Sequence, residues 1–160
     1  MAPRSLAVFD LDGTLADVRH RLHHIEGRPR DWDAFFAAAS QDPPLAEGVA
    51  LALKSAEEHE VVYVTGRPER CRRDTLRWLE RHGLPTGRLL MRGGRDRRPA
   101  RVTKPELLHR LARDRTVAVV VDDDDQVCDA YESAGFPVVR ARWMTARPAL
   151  ERAQEQEGRT

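Results

Sequence analysis

Short apolar runs alternate with longer mixed stretches along this 160-residue chain, with turn residues between them. Residues 6–10, 60–65, 88–91, 116–121 and 137–141 are brief and apolar, and read as strands. The stretches between them predict helices at 17–25, 32–40, 45–59, 68–82, 103–113 and 126–133. Punctuation supports these boundaries. Asp31 or Asp33 opens the second helix, Gln41-Asp42-Pro43-Pro44 breaks the chain, and Gly83 with Pro85 closes the fourth helix. Thr103-Lys104-Pro105-Glu106 reads as a capping box that starts the fifth. Residues 92–101 read as an exposed polar loop, and the charged residues 151–160 as a frayed tail. Strands that alternate with helices imply an α/β fold. We expect one domain over residues 1–150, a Rossmann-like three-layer sandwich around a central, mostly parallel sheet.

Chemistry concentrates at the ends of the strands. The first runs into Asp10-Leu11-Asp12-Gly13-Thr14. Open α/β sheets bind ligands beyond the carboxyl ends of their strands. Two acids placed there repel unless a cation or a proton joins them. The second strand ends in Thr65-Gly66-Arg67, where backbone N–H groups leading into a helix can hold a phosphoryl oxygen and Thr65 can donate to another. Lys104 stands at a helix start, where the dipole slightly disfavours a cation, and it is one of two lysines among 27 cationic residues; a compact ammonium suits that position. The strand at 116–121 meets four successive aspartates, residues 122–125. An ordinary acidic turn would serve with one, and four repel strongly without a cation. Taken singly these are a polar turn, a surface lysine and an acidic loop. Taken together they suit Mg²⁺-assisted phosphoryl transfer to an aspartate, which is already ionised at neutral pH.

The order Asp-x-Asp-Gly-Thr, Thr-Gly-Arg, Lys, Asp-Asp resembles the motifs of the haloacid dehalogenase superfamily of phosphohydrolases, over about residues 6–141. The resemblance implies that Asp10 is the nucleophile and forms an aspartyl-phosphate. Asp12 would protonate the leaving group and then activate water, while Thr65 and Lys104 hold phosphoryl oxygens. Mg²⁺ would be bound by Asp10, Asp122 and the backbone carbonyl of Asp12, with Asp123 in support. Asp12 argues against the dehalogenase branch, because cleaving a carbon–halogen bond needs no proton donor. The superfamily also implies that residues 16–44 form a small helical cap over the site. That segment carries His20, His23 and His24, read as solvated rather than metal-binding, beside Arg21 and Arg28.

In finer detail the chain is similar to the 3′-phosphatase domains of phage-type polynucleotide kinases. It shares Asp-Leu-Asp-Gly-Thr-Leu-Ala, Thr-Gly-Arg and Asp-Asp-x-x-Gln-Val. Those domains use two arginines on the substrate phosphate. Arg67, beside Gly66, matches one, and Arg21 or Arg28 the other. Ala100 stands where that family has an acid four residues before the lysine. The implied activity is removal of 3′-phosphates from DNA or RNA ends, with a kinase or ligase as partner or fused domain. The enzymatic alternative is a nucleotidase or another small-molecule phosphatase. A phospho-accepting receiver runs against the motif order, with the acceptor on the first strand and the acid pair late.

Composition narrows the setting. No apolar run approaches membrane-spanning length, and Cys71 and Cys128 lack metal-like spacing, so a cytoplasmic, reduced setting is expected. The net charge of +1 hides an asymmetry: residues 67–115 hold fifteen Arg and one Lys against six acids. That excess fits either an anionic partner larger than a lone phosphate or a solvated arginine-rich face. At 6% aromatic content there is little for base stacking, which favours recognition of the phosphate end over recognition of bases.

Overall fold

The computed structural model describes residues 2–145 and 147–160. Its sheet contains β1 (Leu6–Phe9), β2 (Glu60–Pro68), β3 (Leu89–Arg92), β4 (Val117–Asp122) and β5 (Val138–Arg140), in the order β3-β2-β1-β4-β5. All four pairings are parallel. Apolar residues on both faces of the inner strands demand two covering layers. Ala7, Phe9, Val61 and Tyr63 face one core with Ala52 of α3 (Ala46–Ser55) and Trp78 and Leu79 of α4 (Arg72–Arg81). Leu6, Val8, Val62 and Val64 face the other, under Leu107, Leu108 and Leu111 of α5 (Ala100–Leu111) and Val127 and Tyr131 of α6 (Asp125–Ser133). Each such leucine contributes roughly 1.5–3 kcal/mol by leaving water. The expected three-layer α/β sandwich is therefore present.

Residues 16–44 leave and re-enter the sheet edge at one point, where Ala16 bridges Pro44 and the Asp17 amide donates to the Pro43 carbonyl at 2.8 Å. Between those ends lie a 3₁₀ turn (Arg19–Arg21), the one-turn helix α1 (His23–Glu26), α2 (Trp32–Ala37) and a second 3₁₀ turn (Ala38–Gln41). The single helix expected at 17–25 is thus broken in two, with Leu22 and Ile25 buried and Arg21 turned inward. Asp31 is the N-cap of α2, accepting from the Ala34 amide at 3.0 Å.

Two expectations are corrected. The fifth helix begins at Ala100, three residues before the proposed capping box. Thr103 instead donates its hydroxyl to Asp96, and Glu155 accepts from the Arg101 amide at the helix start, so the cap comes from distant chain. Pro105 then lies inside the helix, a cost offset by the buried leucines that follow it. The tail is not frayed. After α7 (Pro148–Glu151) comes a π turn (Arg152–Gln156), and Ala149, Leu150 and Ala153 join the first core, so apolar burial holds the segment down despite its charges.

Candidate active site

The register of the three inner strands assembles the site. Phe9 pairs with Tyr63 on one side and Val121 on the other, so Asp10, Thr65 and Asp122 emerge together at the carboxyl edge. Here the chain passes from β1 to β2 on one side and crosses from β3 to β4 on the other, the strand-order reversal at which open α/β sheets form their binding crevice. Asp10 is 3% exposed; Oδ2 accepts from the Thr14 hydroxyl at 3.0 Å and Oδ1 from Lys104 Nζ at 2.7 Å. The same ammonium donates to Asp122 Oδ2 at 2.7 Å. Burial works against the Lys104 charge, yet Asp10 and Asp122 outweigh it and hold the ammonium well above its ordinary pKa.

Carboxylate oxygens of Asp10, Asp122 and Asp123 lie within 4.8 Å of one another. Burial first, and then the Asp10 charge, push the carboxyls of Asp122 and Asp123 above the usual carboxylate range. Among the described residues the buried Oδ1 of Asp123 has no hydrogen-bond partner. Gly13 makes room for that side chain: it adopts φ +88°, and a Cβ there would overlap the Asp123 carboxylate. Three converging hard oxygen donors, one of them orphaned, fit a divalent cation such as Mg²⁺. The side chain of Asp12 is not one of this group.

Asp12 turns the other way, into a buried cluster of arginines. Its Oδ1 accepts from Arg67 Nε at 2.9 Å and Nη2 at 2.6 Å, and from Arg21 Nη2 at 3.0 Å. Burial alone would raise its pKa, but the two guanidiniums hold the carboxyl well below the usual range. Asp42 balances the second positive charge. Its Oδ1 accepts from Arg21 Nε at 2.8 Å, and its Oδ2 from Arg21 Nη2 at 2.9 Å and Arg67 Nη2 at 3.2 Å. His20 Nε2 lies 2.6 Å from Oδ1, and Trp78 Nε1 donates to the Asp42 backbone carbonyl at 2.8 Å. Of the two arginines proposed from residues 16–44, Arg21 is fully buried in this cluster, stacked 4.3 Å over Phe35, while Arg28 is exposed. Thr65 is buried, its hydroxyl accepting from the Arg67 amide at 3.1 Å, and Gly66, between them in the chain, packs against the backbone of Thr160.

Two further residues reach the site without a signal in the sequence. Asp42 read only as part of a Pro-rich break. Thr160, in the tail, donates its hydroxyl to Asp12 Oδ2 at 2.6 Å.

The family model of the polynucleotide kinase PNKP phosphatase domain matches residues 4–142. Among solved structures, a chain described as the structure of the Pnkp1/Rnl/Hen1 complex is 25% identical, with a TM-score of 0.72 over 88% of this chain and 46% of that one. A second, described as the Pnkp1/Rnl/Hen1 RNA repair complex, is 25% identical, with a TM-score of 0.71 over 86% and 42%. This chain thus spans less than half the length of either. The haloacid dehalogenase-like hydrolase SP0104 of Streptococcus pneumoniae shares the fold at 13% identity, with a TM-score of 0.61 over 92% and 89%. No curated protein sequence matches significantly. Among the described residues no helix is long and apolar enough to cross a membrane.

Proposed function

The chain belongs to the polynucleotide kinase PNKP phosphatase-domain family, within the haloacid dehalogenase-type phosphatases, and from that premise we propose that it is a Mg²⁺-dependent phosphomonoesterase removing 3′-phosphates from nucleic acid ends. The observation that carries this reading is the junction of two halves at Asp10 and Asp12. One half is an anionic cluster of Asp10, Asp122 and Asp123 bridged by Lys104. The other is a cationic cluster in which Arg21 and Arg67 grip Asp12.

Asp10 attacks phosphorus and forms an aspartyl-phosphate as the bond to the 3′ oxygen breaks. As Arg21 and Arg67 turn from Asp12 to the arriving phosphate, Asp12 is no longer held ionised and takes up a proton; it delivers that proton to the departing oxygen, then takes one from the water that hydrolyses the aspartyl-phosphate, which frees inorganic phosphate and restores Asp10. The Thr65 hydroxyl, the Gly66 amide and Lys104 hold the phosphoryl oxygens. Arg21 and Arg67 supply the two guanidiniums for the substrate phosphate, Arg21 taking the place left open between it and Arg28. Mg²⁺, held by Asp10, Asp122, Asp123 and the backbone carbonyl of Asp12, would neutralise the negative charge shared by nucleophile and phosphate. The solved relatives are more than twice as long as the matched region, which supports a domain acting beside a kinase or ligase. Cys71 and Cys128 are both free, consistent with a reduced cytoplasmic setting.

The test is phosphate release, with and without Mg²⁺, from a 3′-phosphorylated oligonucleotide, its 5′-phosphorylated twin and 3′- and 5′-mononucleotides. Preference for the 3′-phosphorylated strand is expected. Release mainly from mononucleotides would replace end healing with nucleotide turnover, and release from none would leave the substrate class wrong.

A further inference from the structure

The last four residues of the tail differ in kind from the segment that precedes them. Residues 148–156 are anchored: Ala149, Leu150 and Ala153 pack into the core, and Glu155 accepts from the Arg101 amide at 3.2 Å and its guanidinium at 2.8 Å. Residues 157–160 contribute no apolar side chain. They fold back through Gly158, at φ +59°, with the Arg159 amide donating to the Ala153 carbonyl at 2.8 Å. Their contacts reach both sides of the crevice. Arg30 Nε lies 3.2 Å from Glu157 Oε1, and Arg159 stacks 4.7 Å over Trp32, both partners belonging to residues 16–44. Thr160 is 3% exposed; its carbonyl is 3.5 Å from Arg92 Nη2, and its backbone lies so close to Gly66 that a Cβ there would overlap it.

Thr160 thereby packs against two of the residues assigned to the reaction, Gly66 and Asp12. Its hydroxyl is a secondary alcohol that donates to Asp12 Oδ2 at 2.6 Å. A nucleotide 3′-hydroxyl, the alcohol freed by 3′-phosphate removal, is also secondary and would present the same donor to the same carboxylate. We infer that residues 157–160 form a displaceable plug that occupies the leaving-alcohol position, so that the chain gates its own active site. This inference rests on the proposed function for the identity of the competing group. Among the described residues a few polar contacts and one cation–π pair hold the plug, so a charged strand end with its own phosphate can displace it. A substrate that must displace a plug binds with its affinity reduced by the fraction of open sites.

Gly158→Val separates the plug from its anchor. A Cβ at Gly158 would run into the Arg97 carbonyl, while Glu155 and the core contacts stay in place. In the full chain, KM for a 3′-phosphorylated oligonucleotide is expected to fall at least about fivefold, with kcat within about twofold. Thr160→Val keeps the shape, removes the donor and is expected to lower KM by about twofold, so the conclusion does not hang on one variant. Amide exchange reads the plug without activity: residues 157–160 should be protected in the wild type and lose that protection in Gly158→Val. Unprotected amides in the wild type, or an unchanged KM in a Gly158→Val chain that has lost protection, overturn the inference. Absence of phosphate release from every protein overturns the proposed function instead, and the exchange result then decides whether the plug is seated.

Discussion

Replacing Asp42 with Asn changes the charge of the arginine cluster and almost nothing of its shape. Asp42 is 1% exposed, and its carboxylate accepts three N–H bonds from Arg21 and Arg67, at 2.8, 2.9 and 3.2 Å. With Asp12 it balances two buried guanidiniums. An amide offers one acceptor oxygen, and its NH₂ must face a guanidinium N–H whichever way it is turned. Removing one partner of a buried ion pair costs about 3–5 kcal/mol, because the charge left behind has no water to recover. The His20 contact adds little, since that side chain is 36% exposed. In a chain of this size the loss corresponds to a fall in Tm of roughly 6–20 °C. Urea unfolding of Asp42→Asn should show that loss with an unchanged m-value. The KM for phosphorylated substrate should rise at least about tenfold, as both arginines now lean on Asp12 alone. A stability loss below about 1 kcal/mol would refute the reasoning, since it would mean that the two arginines do not depend on Asp42 for charge balance.

Three other outcomes are expected. Asp10→Asn should lower phosphate release by at least about 10⁴-fold while the circular dichroism spectrum is retained, and acid quenching of the wild type during turnover should trap phosphate on the chain. Arg21→Ala should lower kcat/KM by at least about 100-fold, whereas Arg28→Ala should stay within about twofold; the reverse ranking would reassign the phosphate arginine. Mg²⁺ should raise the thermal midpoint of the wild type by relieving repulsion among Asp10, Asp122 and Asp123. That rise should shrink in Asp123→Asn, and EDTA should abolish phosphate release.

The sheet and the anionic half of the site were legible in the chain because both depend on local pattern. Strands such as residues 60–65 are apolar on both faces, as a doubly covered parallel strand must be, and their carboxyl ends carry Asp10, Thr65 and Asp122 by direct succession. Strand order then brings these ends together with little further specification. Contacts across large separations left no such pattern. Asp42 meets Arg67 across 25 positions, and Thr160 meets Asp12 across 148, with nothing local to mark either as a partner. Local rules misled in two places where distant chain supplied the deciding contact. Thr103 would cap a helix if isolated, but Asp96 takes its hydroxyl and Glu155 caps the earlier start. Residues 151–160 would fray if free, but Ala153 is buried in the core and draws its charged neighbours down with it. The sequence by itself determined the order of strands and helices and the acids at their ends, through local periodicity and adjacency. Only the tertiary structure decided which arginine grips Asp12, which carboxylate balances the pair, and what lies over the crevice, because long-range packing and charge balance outweigh local propensity there.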